Sequence, residues 1–442
     1  MNVVIAGAGK VGYFLAKELM EENEVTIIDS NEKAIQNIEE TLDVLPIHGD
    51  VEDPSSYIHI KKDIDLFIAV TDSDEVNLLS SLIIDNIVNV HEKIVRLKNN
   101  FFVNDKIKAK LGISKIIIPA VEVAKTFNHL IDFPHANNIK TFDYTNALML
   151  SIRASESVAK KMISTLRKEL ENKIIVGGIE RDEKFFIPNE FDMILPNDLI
   201  YFLAFPSVIN ELRVTICDKW TKQPTNNCII YGANQLGIEI AKVLKEKGLN
   251  IKLIDKNLEN CEAANSILKN SVEVLKSNYN LDLVLDKYGD NTDIFIAATP
   301  NDEYNITKCI EAKQKNIKKV VGIHNNRQYG SIMRKLGIEV LRGEKMNAFY
   351  SILEKITSSR IVTKRVFCGG EGIALLRKIF PNSMLIGNKP PIDNKSCEKG
   401  IFYIQRGEEF IHHHDCPLLE QGDVIIAFSK ESNTKSVVEC IK

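Results

Sequence analysis

The feature that most constrains the fold of this chain is an internal duplication. The nonapeptide AVTDSDEVN at 69–77 returns as AATPNDEYN at 297–305, with five of nine positions identical. The opening stretch VVIAGAGKVGYFLAKEL matches IIYGANQLGIEIAKVL at an offset of 225 residues, and IVRLKNN matches VVGIHNN further along. Near the end of each half, Asp198 in LPNDLIYFLAF stands opposite Asp423 in LEQGDVIIAFS. The 442 residues are therefore predicted to fold as two copies of one unit.

Each half is predicted to contain two domains. Short apolar runs such as Val3–Ile5 alternate at first with stretches of helical periodicity such as Asp74–Ile84, which is typical of a parallel sheet with crossover helices. From Lys173 to Leu203 the pattern changes to short strands separated by turn signals, after a helix-like run near Val158–Leu170. The predicted class is α/β, with two Rossmann-like doubly wound parallel-sheet domains, each followed by a small α+β domain. The predicted boundaries are 1–132, 138–220, 226–358 and 362–442.

Composition excludes several classes of function. Lys plus Arg total 56 against 60 for Asp plus Glu, so no general attraction for nucleic acid or anionic lipid is expected. The eight cysteines form no CxxC pair, which favours reduced thiols over disulfides or a zinc site. No basic leader precedes the first strand and no run approaches 18 apolar residues, so we expect a cytoplasmic protein without direct membrane insertion.

A glycine-rich loop follows the first predicted strand and precedes the first predicted helix. Gly7 allows a tight turn, Gly9 lets backbone N–H groups approach a pyrophosphate, and Gly12 lets the helix lie close to its strand. The positive end of the helix then faces the phosphates. This context predicts a dinucleotide site.

An acidic residue stands where such a site needs one. Asp29 ends the second predicted strand, twenty residues beyond Gly9, where a carboxylate accepts hydrogen bonds from an adenosine ribose and repels a 2′-phosphate. NAD(H) is therefore favoured over NADP(H). The alternative is that the loop and the acid only shape the fold around an empty crevice.

The second copy departs from this pattern. Asn234 replaces the counterpart of Gly9, Ser277-Asn278 replace Gly49-Asp50, and the alignment places Gly322 opposite Arg96. We expect the second crevice to be empty, to hold a mononucleotide, or to persist only as a structural copy. Any second site would be the weaker one, and it would use Gly232, Asn234, Gly237, Asp255 and Thr299.

The combination of GAGKVG, VTIIDSN, the HGD turn, AVTDSDEVN and IVRLKN, repeated in tandem, resembles the RCK (KTN) domains that regulate potassium conductance. Two copies on one chain are similar to the peripheral regulatory subunits of bacterial potassium uptake systems of the Trk type. The resemblance implies NAD(H) binding, and also binding of ATP or ADP. It further implies conformational control of a membrane-embedded potassium-translocating subunit. The chain would assemble into a homo-oligomeric ring of four copies, a tetramer, in a peripheral position on the inner face of the cell membrane.

The resemblance also implies roles for individual residues. The loop Gly7–Gly12 would contact phosphate, Asp29 the ribose, Asp50 the adenine and Arg96 a phosphate. The full set of predicted binding residues is Gly7, Ala8, Gly9, Lys10, Val11, Gly12, Asp29, Gly49, Asp50, Val70, Thr71, Asp72 and Arg96.

Two other functions compete with this hypothesis, and no catalytic residue is assigned. An NAD-dependent oxidoreductase would need an acid or base beside the nicotinamide, and the chain offers Tyr13 with Lys17 and Tyr304 with Lys308 at the Tyr-x-x-x-Lys spacing. We interpret both pairs as chance occurrences. The other alternative is a scaffold that has kept the fold and lost its ligands.

The run IHHHDC at 411–416 could in principle bind a metal. Alternation along a strand would place His412, His414 and Cys416 on one face. The aligned segment of the first half contains no such residues, so we predict exposed turn histidines and no metal site.

Overall fold

The computed structural model describes most of the chain, and all structural statements refer to that part. The described residues are 1–21, 23–100, 103–132, 137–142, 144–155, 161–182, 184–216, 226–277, 281–358, 362–381, 383–392 and 398–441.

The first half opens with a parallel sheet of six strands. Its strands are β1 (Asn2–Ala6), β2 (Glu24–Asp29), β3 (Leu45–His48), β4 (Asp63–Ala69), β5 (Asn89–Arg96) and β6 (Lys115–Ile117). They are ordered β3-β2-β1-β4-β5-β6, so the direction of winding reverses between β1 and β4. The central strands are buried along almost their whole length, as expected when helices cover both faces of a parallel sheet.

Five helices connect or follow these strands. They are α1 (Lys10–Leu19), α2 (Glu32–Thr41), α3 (Asp74–Asp85), α4 (Asp105–Lys110) and α5 (Pro119–Asp132). The buried side chains of α1 include Val11, Leu15 and Leu19, which share one face at a spacing of four residues. That apolar face explains why the segment after the glycine loop forms a helix packed on the sheet.

A small antiparallel sheet follows. Its strands are β7 (Asn137–Phe142), β8 (Thr145–Arg153), β9 (Ile174–Arg181), β10 (Lys184–Phe186) and β11 (Leu199–Ala204), in the order β10-β9-β11-β8-β7. Its helices are α6 (Ile163–Glu169) and α7 (Pro206–Ile216). The predicted helix-like run near 158–170 is therefore shorter at its start, with 156–160 outside the described residues, and α7 was not predicted.

The second half repeats both sheets. Its parallel strands are β12 (Asn227–Tyr231), β13 (Asn250–Asp255), β14 (Glu273–Lys276), β15 (Ile294–Ala297), β16 (Lys319–His324) and β17 (Glu339–Arg342). Their order, β14-β13-β12-β15-β16-β17, is that of the first sheet. The accompanying helices are α8 (Gln235–Glu246), α9 (Leu258–Leu268), α10 (Leu281–Tyr288), α11 (Asp302–Gln314), α12 (Arg327–Lys335) and α13 (Glu344–Ser358).

The second small sheet matches the first one. It contains β18 (Val362–Phe367), β19 (Gly372–Lys378), β20 (Gly400–Arg406), β21 (Glu409–His412) and β22 (Val424–Lys430), followed by α14 (Thr434–Ile441). Its order, β18-β19-β22-β20-β21, is the first order read from the other edge. The duplication and the predicted fold class are thus confirmed at the level of strand topology, while the four domain boundaries stay predictions.

The residues cluster into two compact units. One unit contains Met1–Lys125, Asn227–Tyr329 and Leu341–Lys355, and the other contains Thr126–Asn226, Gly330–Val340 and Ile356–Lys442. Within the second unit the two small sheets share one apolar core. Phe205 and Phe410 stack in that core with ring centroids 4.8 Å apart. None of the described helices combines the length and the apolar character needed to cross a membrane.

The repeated nonapeptide has a structural role in both copies. Asn77 Oδ1 accepts the Thr71 N–H at 2.9 Å, and its Nδ2 donates to the Arg96 carbonyl at 2.9 Å. Asn305 makes the same two bonds to Thr299 N–H (3.0 Å) and to the carbonyl of Ile323 (2.8 Å). The asparagine therefore ties the turn after one strand to the next strand, which satisfies buried backbone groups in both copies.

A second duplicated device stabilises the small domains. Arg181 donates two hydrogen bonds of 2.8 Å to Asp198, and Arg406 donates bonds of 3.0 and 2.7 Å to Asp423. Both carboxylates are almost fully buried, at 1% and 2% exposure. The matched aspartates of the sequence alignment are thus held as bidentate ion pairs.

Candidate functional site

A cleft of about 540 Å³ lies beyond the carboxyl ends of β1 and β4, where the winding direction of the first sheet reverses. In open parallel sheets this switch point is where ligands bind. The cleft is lined by Gly7, Gly9, Lys10, Val11, Ile28, Asp29, Ser30, Asp50, Val51, Glu52, Val70, Thr71, Asp72, Ser73, Val76, Arg96 and Lys345.

The turn between β1 and α1 depends on two glycines. Gly7 has φ +109°, and a Cβ there would lie 3.0 Å from the Thr71 amide nitrogen. A Cβ at Gly12 would lie 1.8 Å from the Gly7 carbonyl oxygen. Any side chain at either position would strain or displace the backbone. These two glycines therefore build the loop and bring the start of α1 to the edge of the cleft.

Gly9 has a different role, because it leaves the start of α1 open. It is the N-cap residue and provides no side-chain hydrogen bond to the first turn. A Cβ at this position would meet nothing within 4 Å, and Gly9 is exposed. The amide groups of Lys10, Val11 and Gly12 have no intrahelical acceptor, as in every first helical turn. Together with the helix dipole they suit an anion in the cleft.

Asp29 lies at the end of β2 and faces the same cleft. Its Oδ2 accepts the Ala8 N–H at 2.6 Å, and its Oδ1 accepts the Asn31 N–H at 2.8 Å. A carboxylate has about four acceptor positions, so capacity remains on both oxygens. The arrangement fixes the carboxylate and leaves it able to accept bonds from a diol.

Arg96 provides buried positive charge at the end of β5. The residue is only 6% exposed, and its Nε has no hydrogen-bond partner among the described residues. One terminal nitrogen lies 3.5 Å from Oδ1 of Asp72, whose side chain is 83% exposed. A buried donor without an acceptor costs free energy. Arg96 therefore fits a site in which an anion completes its hydrogen bonds.

The second copy contributes a helix to this cleft within the same compact unit. Lys345, near the start of α13, is a lining residue. Burial raises the pKa of the neighbouring Glu344 carboxyl, while Arg96 and Lys98 oppose that shift. Further along α13, the Ser351 hydroxyl donates to Glu122 of the first copy. The first cleft is thus completed by residues of the second half of the chain.

The structure brings most of the predicted site residues together. Of the predicted set, only Ala8, Gly12 and Gly49 do not line the cleft. Ala8 N–H is taken by Asp29, Gly12 packs on Gly7, and Gly49 N–H donates to the Asp29 carbonyl. These three residues do not line the cleft themselves but contact the residues that do.

Sequence reasoning missed several lining residues, and only some left a signal. Those missed are Ile28, Ser30, Val51, Glu52, Ser73, Val76 and Lys345. Ile28, Ser30, Val51 and Ser73 each adjoin a predicted residue in the sequence, and Glu52 lies two residues from Asp50, so these five could have been found. Lys345 lies almost 250 residues from Arg96, and no local pattern in the sequence indicates its position.

In the second copy the corresponding cradle is occupied by a side chain of the protein. Asn234 is the N-cap of α8, and its Oδ1 accepts the Gly237 N–H at 3.0 Å. Its Nδ2 donates to the Ala298 carbonyl at 2.8 Å. The asparagine thus uses a helix donor that stays available in the first copy. The start of α8 is therefore capped where the start of α1 is not, and weaker nucleotide binding in the second copy stays a prediction.

The acidic position of the second copy is also more fully occupied. Asp255 is 9% exposed and accepts Ala233 N–H at 2.8 Å and Asn257 N–H at 2.8 Å. Asn260 Nδ2 adds a further contact at 3.2 Å. Ser277 N–H donates to the Asp255 carbonyl, as Gly49 does to Asp29, whereas Asn278 lies outside the described residues.

One detail of the sequence alignment is wrong. Arg96 was placed opposite Gly322, but Asn305 bonds the Ile323 carbonyl where Asn77 bonds the Arg96 carbonyl. Strand pairing agrees, because Ala69 pairs with Val95 and Ala297 with Gly322. The offset between the copies falls by one residue between these strands, from 228 at Ala69 to 227 at Val95. Ile323 is therefore the counterpart of Arg96, so the buried cation is replaced by an apolar side chain.

The Tyr-x-x-x-Lys pairs do not enter the first cleft. Neither Tyr13 nor Lys17 is among its lining residues, which include no tyrosine or histidine in the described part of the chain. In the second copy Tyr304 OH lies 3.1 Å from Tyr231 OH, and Lys308 Nζ lies 5.2 Å from the Tyr304 ring centroid. This pair lies on α11 of the second copy and does not line the first cleft.

The histidine run differs from its predicted arrangement. The structure groups His412, His413 and His414, not His412, His414 and Cys416. His413 is buried at 8% exposure, so the prediction that all three are exposed is wrong for this residue. The Cys416 sulfur contacts the Leu418 carbonyl at 3.7 Å. The physical reason is that β21 ends at His412 and the chain turns before strand alternation can apply.

A known protein family matches both halves of the chain. The model of the TrkA-N domain matches residues 3–119 and again residues 228–341, which together are more than half of the chain. The chain belongs to the TrkA-N domain family. Among curated relatives, "Trk system potassium uptake protein TrkA homolog 1" of Methanosarcina mazei is 25% identical, with all of both chains covered. "Trk system potassium uptake protein TrkA" of Vibrio alginolyticus is also 25% identical, over all of this chain and 98% of the relative.

Solved structures support the same fold. The "GsuK channel bound to NAD" has a TM-score of 0.63 at 15% identity, covering all of this chain and 78% of that one. The "Crystal Structure of the GsuK RCK domain" has a TM-score of 0.63 and is covered to 94%. The two tandem TrkA-N domains and their RCK-like architecture are thus confirmed, as the sequence resemblance predicted.

Proposed function

We propose that the first cleft binds NAD(H) and the adenine nucleotides ATP and ADP. The observation that carries this proposal is that one cleft is lined both by Gly9, at the uncapped start of α1, and by the buried Arg96, whose Nε has no acceptor in the described part of the chain. An anion between them would accept hydrogen bonds from both. Asp29, across the cleft, suits the adenosine ribose and disfavours a 2′-phosphate, which selects NAD(H) over NADP(H).

The biological role follows from the relatives rather than from the cleft alone. Full-length relatives bear names of Trk system potassium uptake proteins, and the fold neighbours include the GsuK channel bound to NAD and GsuK bound to ADP. We infer that this chain is a regulatory subunit that binds a membrane-embedded potassium-translocating subunit of the Trk type. It would act at the inner face of the membrane, as a homo-oligomeric ring of four chains.

The mechanism of regulation is a shift between conformations. A nucleotide changes the equilibrium only through a difference in affinity for the two states, and a tenfold preference supplies about 1.4 kcal/mol per site. Lys345 can couple nucleotide binding in the cleft to the second copy, because it lines the cleft and lies on α13 of that copy. A phosphate that attracts Lys345 would alter the packing of α13 on the first sheet domain. Motion of these domains as rigid bodies would reach the membrane partner.

Binding and turnover are separable in one experiment. We expect NADH to raise the melting temperature of the full chain, since a ligand of the folded state stabilises it. Its absorbance should stay constant during incubation with candidate carbonyl acceptors. Steady loss of NADH absorbance would contradict a purely regulatory site and favour the oxidoreductase alternative. No shift with NADH, NAD, ATP or ADP would favour the scaffold.

Coupling to transport requires the partner. Vesicles that contain the potassium-translocating subunit encoded in the same cell should show potassium flux that depends on this chain and on nucleotide. A Gly9→Ala chain that still assembles with the partner is the matched control, because it should lose the nucleotide response alone. Flux that is unchanged by wild-type chain and nucleotide would contradict the proposed role.

A further inference from the structure

Three consecutive histidines converge at the end of β21. The Asp415 N–H donates to the His412 carbonyl at 2.9 Å, which closes a tight turn over His412–Asp415. The turn brings the rings together, with centroids 4.6 Å apart for His412 and His413 and 3.8 Å apart for His413 and His414. One nitrogen from each of the three rings lies within 4.8 Å of the others. The proposed nucleotide cleft shares none of these residues.

The most buried of these rings has the orientation of a metal ligand. His413 Nδ1 lies 3.2 Å from the Phe402 carbonyl oxygen, and a carbonyl can only accept, so Nδ1 carries the proton. The lone pair is then on Nε2. Metal-binding histidines usually donate their second ring nitrogen to a carbonyl or carboxylate in this way, which fixes the ring.

Charged side chains lie around the three rings. The carboxylates of Glu190 and Asp415 are near enough to act on His412, and the Arg167 guanidinium, which is paired with Glu190, opposes them. The exposed Asp415 carboxylate would partly offset the charge of a bound ion.

We propose that His412, His413 and His414 form a binding site for a transition-metal ion of the Zn²⁺ type. Three imidazoles with an open fourth position match a tetrahedral ion, with metal–nitrogen distances of about 2.0 to 2.1 Å. Imidazole suits zinc, copper and nickel, whereas Mg²⁺ and Ca²⁺ need oxygen ligands. His414 is exposed, so its ring can rotate to shorten the nitrogen separations.

The first copy provides an internal control. Counted with the offset of 225 that joins Arg181 to Arg406, the positions of the three histidines correspond to Ile187, Pro188 and Asn189. None of these three side chains is a strong metal ligand. The proposed site therefore has no counterpart at the matching positions of the first small domain, and one ion per chain is expected.

The test uses the full chain, free of any affinity tag and treated with a chelator. Calorimetric titration with Zn²⁺ should show one site per chain. Titration with Co²⁺ should produce the intense visible absorption of a tetrahedral cobalt centre. The exposed ligand is the safest to remove, and His414→Ala should weaken zinc binding at least tenfold without changing the circular dichroism of the protein. His412→Gln should do the same.

The matched control is His59→Ala, which removes an exposed histidine from the first sheet domain and should leave zinc binding unchanged. Absence of zinc binding by the wild-type chain would overturn the proposal. Equal zinc affinity of the wild-type and His414→Ala chains, or a cobalt spectrum that survives both substitutions, would overturn it too.

Discussion

The two glycine loops of this chain have the same backbone and different contents. In the first, Gly9 leaves the start of α1 uncapped, and in the second Asn234 bonds both Gly237 N–H and the Ala298 carbonyl. In the first, the Nε of the buried Arg96 has no acceptor among the described residues, and in the second isoleucine takes the position of this arginine. The first copy thus has hydrogen-bond donors without acceptors around its cleft, among the described residues. In the second copy the Asn234 side chain accepts the corresponding helix N–H.

The comparison separates residues that specify the fold from residues that specify the ligand. Gly7, Gly12 and Asn77 have equivalents in the second copy with the same geometry, and these residues shape turns and tie strands. Gly9 and Arg96 are replaced by Asn234 and Ile323 in the second copy, which keeps the same strand order without them. Duplication kept the first group in both copies and the second group in one.

The largest effect is expected from Gly9→Ala. The added methyl meets no protein atom within 4 Å, so the fold should not change. The methyl group would, however, occupy the space that a phosphate needs. Loss of one or two charge-assisted hydrogen bonds corresponds to a fall in NADH affinity of about 100-fold. Thermal shift measurements with NADH check this. Asn234→Ala is the matched control, and equal losses from both substitutions would contradict the distinction between the copies.

A smaller loss is expected from Arg96→Gln. The change removes a buried charge that would bond phosphate, at a cost to binding of about 1.5 to 3 kcal/mol, or roughly 10- to 100-fold. Because Arg96 Nε has no hydrogen-bond partner among the described residues, we expect stability without nucleotide not to fall. Calorimetry with ADP and denaturation without ligand measure the two quantities. A marked loss of stability with unchanged ADP affinity would show that Arg96 is structural.

Asp29→Asn should change selectivity more than affinity. Removing the negative charge weakens bonds to the ribose hydroxyls and relieves repulsion of a 2′-phosphate. The ratio of NADH to NADPH affinity should fall by about tenfold, which is about 1.4 kcal/mol. Competition between the two cofactors measures this ratio directly. If the ratio is unchanged, Asp29 only supports the Ala8 and Asn31 amides that it bonds.

The smallest effect concerns the second copy. Asn234→Ala removes a helix cap, which should lower the free energy of unfolding by about 1 kcal/mol. NADH affinity at the first cleft should stay the same. Chemical denaturation followed by circular dichroism is the appropriate measurement. A gain of nucleotide binding in Asn234→Gly would sharpen the comparison, since it would show that this side chain alone closes the second cradle.

Much of this could be predicted because the signals are local. The glycine loop, the acid at the end of β2 and the alternation of apolar strands with amphipathic helices each occupy a short stretch of sequence, and the structure places them as predicted. Because the sequence repeats, the elements of the second half could be predicted by alignment with the first half. The effect of Asn234 was also predictable, because an asparagine in place of glycine adds a side chain at that position of the loop.

The errors come from features that depend on tertiary context. Arg96 was aligned with Gly322 because glycine and arginine stand at equal positions in similar heptapeptides, whereas the asparagine hydrogen bonds fix Ile323 there. Lys345 enters the first cleft from another helix, which no local pattern indicates. The histidine run follows a tight turn rather than an extended strand, so period-two reasoning selected Cys416 in place of His413.

The most direct test of the account is the stoichiometry of NADH binding to the full-length chain by isothermal titration calorimetry. One site per chain is predicted, removed by Gly9→Ala and kept in Asn234→Ala. Two equivalent sites per chain, or a single site that survives Gly9→Ala, would contradict the claim that only the first cradle is open to a nucleotide.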